Sequence, residues 1–152
     1  MAKFDAQDAT LRLPEFLADF ADADPEEALE MLVDFSEKLP PLSPGRAALG
    51  VQADCRIQEC QTPVYLWVDV VNGKVHLEAE VPEQSPTVRG FVALLVAGLE
   101  GASGAEIEEL PDDFLPLLGL SATLGMTRRR GFRGIVSKIK REVAQGAEKN
   151  SA

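Results

Sequence analysis

The sequence predicts an α+β fold, a small three-stranded antiparallel sheet flanked by helices. Three observations carry this reading. Residues 51–81 alternate apolar and polar side chains with a period of two, while the segments on either side repeat with helical spacing. The pair Asn72-Gly73 sits between two alternating runs and suits a type I′ turn, which needs positive φ at both central residues. The order helices, strands, helices then places the helices over one face of the sheet.

Residues 1–12 read as a frayed end. A short helix around Phe16, Leu17 and Phe20 precedes a better-signalled one in "DADPEEALEMLVDFSEKLP". There Asp24 caps, Pro25 suits the first helical position, and Glu27 stands in capping-box spacing. Ala28, Met31, Leu32 and Phe35 form the apolar stripe, and Pro40 and Pro41 stop the helix. After the turn-rich "PPLSPGRAALG", strand one is expected in "VQADCRI", with Val51, Ala53, Cys55 and Ile57 on its inner face. The hairpin "PVYLWVDVVNGKVHLEAEV" supplies the other two strands. Its second strand turns Val75, Leu77, Ala79 and Val81 inward and His76, Glu78 and Glu80 outward.

Helices resume at "SPTVRGFVALLVAGLEG", with Ser85 as cap, Pro86 in the first turn and Gly101 past the end. Ser103 and Glu106 have capping-box spacing. A final helix from about Thr127 buries Phe132, Ile135, Val136, Ile139 and Val143, and the tail "AQGAEKNSA" reads as frayed.

A length of 152 residues predicts one domain, spanning the chain with its core at about 14–145, and apolar content of 45% is enough for a core. The net charge of −10 argues against nonspecific binding to nucleic acid or an anionic membrane. The longest apolar run, residues 90–99, is too short to span a bilayer, and the acidic, proline-containing start lacks the apolar core of a signal peptide. Two cysteines make no disulfide framework, so a reducing, cytoplasmic setting is expected. Charge is uneven. Residues 1–37 hold eleven acids against Lys3 and Arg12, while residues 127–141 hold seven bases and no acid. A basic run of this kind forms either a solvated helix face or a docking patch.

Strand parity makes Cys55 a packing residue, a small inert hydrophobe. Cys60 falls in the polar link "QECQTP", where Pro63 excludes a ladder, and is therefore expected to be accessible. Two thiols and His76 are too few for a zinc site, and the C-x4-C spacing is not the redox C-x-x-C. No metal site, phosphate loop or dinucleotide fingerprint is present.

Three segments in order, "ECQTPVYLWV", "TVRGFVALLVAGLEGASGAEI" and "FLPLLGLSATLGMTRRRGFRGIVSKI", together with the helix end "EKLPPL", resemble the SufE family of sulfur acceptors in iron–sulfur cluster assembly. The resemblance implies a fold like that of the IscU scaffold. It places the family's persulfide-carrying cysteine on Cys60, the adjoining loop glutamine on Gln61, and the motif arginine and glycine on Arg128 and Gly131. The family's V-[RK]-G element falls on Val88, Arg89 and Gly90. Glu59 stands where the family has glycine, and Thr62 and Thr127 replace serines.

The implied activity is that of a non-enzymatic carrier. Cys60 would take sulfur from a cysteine desulfurase of the SufS type, stimulate that enzyme, and pass sulfur to an iron–sulfur scaffold. No cofactor is implied, because the pyridoxal phosphate belongs to the desulfurase. A monomer or weak homodimer is expected. The electropositive start of the last helix, with Arg128 and Arg129, would favour the thiolate or dock the partner. Two other readings fit the residues: an adaptor without covalent chemistry, and a thiol redox protein.

Overall fold

A computed structural model of the chain describes residues 12–49 and 55–151. Helix α1 (Leu13–Ala21) buries Leu13 and Phe20. Helix α2 (Pro25–Ser36) starts as its sequence dictates: the Asp24 carboxylate accepts the Glu27 amide at 2.9 Å, half of the expected capping box. A short helix, α3 (Pro44–Leu49), occupies part of the connection expected to be turns.

The hairpin forms as read. Strands β1 (Tyr65–Val71) and β2 (Lys74–Glu80) pair antiparallel with Val70 opposite Val75 and Leu66 opposite Ala79. Asn72 and Gly73 have φ of 55° and 76°, the left-handed pair that the turn needs. Val75, Leu77, Ala79 and Val81 are buried, whereas His76 is half-buried and Glu80 exposed.

The expected third strand is the main correction. Among the described residues the sheet has two strands. Val51–Asp54 lie outside the described residues. Cys55 sits in a 3₁₀ turn, and Arg56 makes a single bridge to Tyr65. One bridge sets no ladder, so alternation in "VQADCRI" does not fix which side chains face inward. On the other edge of β2, Val75 exchanges backbone hydrogen bonds with residues 101 and 102.

Helix α4 (Pro86–Gly98) is the centre of the molecule. It is apolar almost all round and correspondingly buried on all sides. Helix α2 crosses it so closely that a Cβ on Gly90 would lie 1.7 Å from the Leu32 carbonyl oxygen. Ser85 precedes α4 but its side chain makes no cap bond. The V-R-G element explains itself structurally. Val88 is buried, Gly90 permits the crossing, and Arg89 donates to the Ser36 carbonyl at 2.9 Å and to the Val81 carbonyl.

Helix α5 (Gly104–Glu108) has the complete Ser103/Glu106 capping box, and α6 (Leu115–Leu118) is one turn long. Helix α7 (Met126–Ser151) runs through the tail expected to fray. It buries Phe132, Ile135, Val136, Ile139 and Val143, and Phe132 stacks on Phe91 of α4 with ring centroids 4.1 Å apart. No helix among the described residues is long and apolar enough to cross a membrane.

Candidate functional site

Of the two cysteines, Cys60, expected to be accessible, is the one whose setting differs from the expectation. Cys60 is buried, with 7% of its surface exposed, and Cys55 is half-buried; both are thiols outside any disulfide. The loop carrying Cys60 is closed at its base by the Ile57 amide donating to the Val64 carbonyl at 2.9 Å. Within it the Cys60 amide donates to the Ile57 carbonyl at 3.3 Å, and Thr62 Oγ1 lies 3.3 Å from Ser85 Oγ. A polar, proline-bearing loop is accessible unless something receives it, and here α7 does. Gly131 lacks the Cβ that would stand 2.9 Å from Cys60 Sγ, so the thiol packs on the helix itself.

Beside the thiol opens a pocket of about 210 Å³. The starts of two helices line it: Ser85, Pro86 and Thr87 at α4, and Thr127 and Arg128 at α7. Gln61 and Thr62 come from the loop itself. The structure therefore brings together Cys60, Gln61 and Arg128, the three residues singled out in the sequence. Gln61 and Arg128 are exposed at the rim of the thiol's shelter. Helix starts carry partial positive charge and unpaired amides, and Arg128 adds a full charge.

At rest this setting does not produce a thiolate. Burial, with the Glu59 carboxylate second, pushes the Cys60 thiol up from 9.0 to about 11, against a smaller opposing effect of the Arg56 guanidinium. The opposing cation comes from the loop's own base, a residue that sequence reasoning missed. Arg129, expected to share the activating role, is tied to Asp113 at 3.3 Å and to the Ser121 carbonyl at 2.6 Å. A raised thiol pKa means that closure holds the proton. The contribution of this thiol to loop closure is present in full below about pH 9 and is lost as pH rises toward about 11.

Glu59 is the other residue the sequence reading left without a place. Its side chain rests on α7 where Gly134 leaves room: a Cβ there would lie 2.7 Å from both Glu59 Cβ and Oε1. The legible signal was the pair Gly131 and Gly134, three apart and so on one helix face, which marks close approach by another chain segment.

His76 belongs to a different cluster, with Asp69 and Glu78. Arg46 fills that cluster, bidentate to Asp69 at 2.7 and 2.8 Å and bonded to Glu78 at 2.8 Å. Glu100 lies 2.7 Å from His76 Nδ1 and raises its pKa, chiefly through that hydrogen bond. The arginine supplies the positive charge that these carboxylates would otherwise take from a bound cation.

Residues 14–143 match the family model SufE, described as an Fe-S metabolism associated domain. An uncharacterised SufE-like protein of Mycobacterium tuberculosis is 34% identical over 134 residues, covering 88% of this chain and 92% of that relative. The sulfur acceptor protein CsdE of Escherichia coli is 30% identical over 116 residues, 75% of each chain. The solution structure of a hypothetical protein from Thermus thermophilus superposes with a TM-score of 0.76 at 32% identity, covering 90% of this chain and 96% of that one.

Proposed function

The chain belongs to the SufE family, and from that premise we propose that it is a sulfur acceptor of iron–sulfur metabolism whose Cys60 carries the sulfur. The observation that carries this reading is the placement of Cys60 in a loop seated over a pocket lined by two helix starts and Arg128. CsdE, a sulfur acceptor, is a relative over three quarters of the chain. The donor is a persulfide on the catalytic cysteine of a cysteine desulfurase. No cofactor is required of the acceptor, since the pyridoxal phosphate works in that partner.

The chemistry is a displacement at sulfur. Cys60 first loses its proton to solvent. The thiolate attacks the terminal, sulfane sulfur of the donor persulfide. A Cys60–sulfur bond forms as the donor's sulfur–sulfur bond breaks, and the donor cysteine leaves as a thiolate that takes up a proton. One sulfur atom changes carrier, and no external oxidant or reductant is consumed. Passage to a scaffold repeats the same exchange with Cys60 as the leaving group.

In-line attack needs free approach to Sγ, and the resting thiol has neither that approach nor the charge. Opening the loop supplies both. It exposes Sγ and removes the burial that raises the pKa. The bonds lost by residues 58–63 are few and long, so opening does not require unfolding of the hairpin. Arg128, exposed beside the pocket, is placed to meet the partner or the developing thiolate.

The test is cysteine turnover by a purified desulfurase with and without this chain. Turnover is expected to rise with added chain. Arg128→Ala is expected to reduce the stimulation by about tenfold, as loss of one charge-assisted contact does, with an unchanged melting temperature. Stimulation that is absent, or unaffected by this substitution, would contradict the proposed roles of the chain and of Arg128 respectively.

A further inference from the structure

Glu59 is an odd neighbour for a sulfur-carrying thiol, because a carboxylate next to sulfur opposes the charge that the chemistry needs. Its position shows what it does instead. The carboxylate-bearing side chain lies flat on α7 at Gly134, one helical turn beyond the Gly131 seat of Cys60. It shares a groove with Arg129, Arg130 and Arg133. Yet among the described residues it accepts no hydrogen bond and no cation reaches ion-pair distance. The seat is therefore one of shape, in a groove that the α7 arginines also line.

The remaining ties of the loop are weak. Among the described residues, the hydrogen bonds between Ile57 and Val64 include one intraloop backbone bond of 3.3 Å and one hydroxyl pair at 3.3 Å. Two side chains of the loop lie close against α7, Cys60 at Gly131 and Glu59 at Gly134. Moving one must move the other, since they are consecutive.

We propose that Glu59, seated at Gly134, is the positioning residue that latches the Cys60 loop onto α7 and keeps the thiol silent toward small electrophiles. This rests on the reading of Cys60 as the sulfur-carrying thiol. The charged groups facing the latch are Arg129, Arg130 and Arg133 of α7. Those facing the thiol are Glu59 and Arg56 from its own segment and Arg128 from α7. The start of α4 presents hydroxyls and no charge to the pocket. A partner that engages the α7 arginines would therefore compete with Glu59 directly.

The experiment is the rate of Cys60 alkylation by iodoacetamide as a function of pH, with the full chain alone in a Cys55→Ala background. Glu59→Gly removes both seat and charge. It is expected to raise the rate near neutral pH by about tenfold or more and to lower the midpoint of the pH profile, since each unit of lowering multiplies the thiolate tenfold. Glu59→Gln keeps the side chain and loses the charge, so the midpoint falls with a smaller gain in rate. Gly134→Ala keeps the charge but fills the seat, and is expected to raise the rate as well. Melting curves within about 2 °C of the parent, a shift corresponding to less than about 1 kcal/mol, mark loop release rather than unfolding.

Rates within about twofold of the parent for all three, with an unchanged pH midpoint, would overturn the latch. So would rate increases that only follow losses in melting temperature. Neither outcome depends on a desulfurase. A variant that alkylates fast but accepts no sulfur would count against the carrier function and leave the latch standing.

Discussion

Gly90→Ala is expected to destabilise the protein strongly. The new Cβ would lie 1.7 Å from the Leu32 carbonyl oxygen and 2.5 Å from its carbon, both backbone atoms of α2. Backbone cannot rotate away as a side chain can, so the helices must separate along a crossing where Leu32 and Phe91 are fully buried. Close-packed interiors resist this. Overpacking of this kind costs about 3 kcal/mol or more. Alanine's better helix propensity returns only about 1 kcal/mol. A fall in melting temperature of about 5–10 °C follows for a chain of this size. Gly45→Ala is the control, because nothing stands within 4 Å of its Cβ in α3. Its melting temperature should hold or rise. Equal melting of the Gly90 variant and the parent would mean that α2 and α4 do not cross as described.

Cys60→Ser is expected to reduce desulfurase stimulation to the level of the enzyme without added chain. A serine hydroxyl stays protonated at any pH at which the protein is folded, and oxygen cannot replace sulfur as carrier of a persulfide. The size match keeps the Gly131 seat filled. The substituted chain should therefore still fold and still bind the partner, which separates lost chemistry from lost docking. An adaptor without covalent chemistry would keep its stimulation after this substitution. That result would leave α7 as a docking surface and remove Cys60 from the mechanism.

Local chemistry was the legible part of the fold. The Asn72-Gly73 turn, the Asp24 cap, the Ser103/Glu106 box and the apolar faces of α2 and α7 each depend on residues a few positions apart. The period of two in residues 64–81 correctly sorts buried Val75, Leu77 and Ala79 from their polar neighbours, because β2 has a partner in register. The same period around Cys55 misled, because parity acquires meaning only in a ladder and Arg56 makes one bridge.

The candidate site divides the same way. Cys60, Gln61 and Arg128 were named from family resemblance, and they meet at one pocket. That Cys60 is sheltered was not legible, since its shelter is built by residues of α7 some seventy positions later. Polar composition describes the loop, whereas burial is decided by what receives it. Gly131 and Gly134 were the available clue: two glycines on one face of a helix leave a groove, and the groove holds Cys60 and Glu59. Arg56 and Glu59 flank the thiol with opposite charges in a way that only the folded loop sets.

The central claim, that Cys60 is the atom-carrying site, is tested most directly by locating the sulfur. The chain is incubated with cysteine and a cysteine desulfurase, capped with an alkylating agent, digested without reductant and mapped by mass spectrometry. The account predicts one or more additional sulfur atoms on the peptide position of Cys60, removable by a thiol reductant, with Cys55 unmodified and Cys55→Ala without effect on the gain. Sulfur found on Cys55 alone, or on neither cysteine while the desulfurase is stimulated, would contradict it.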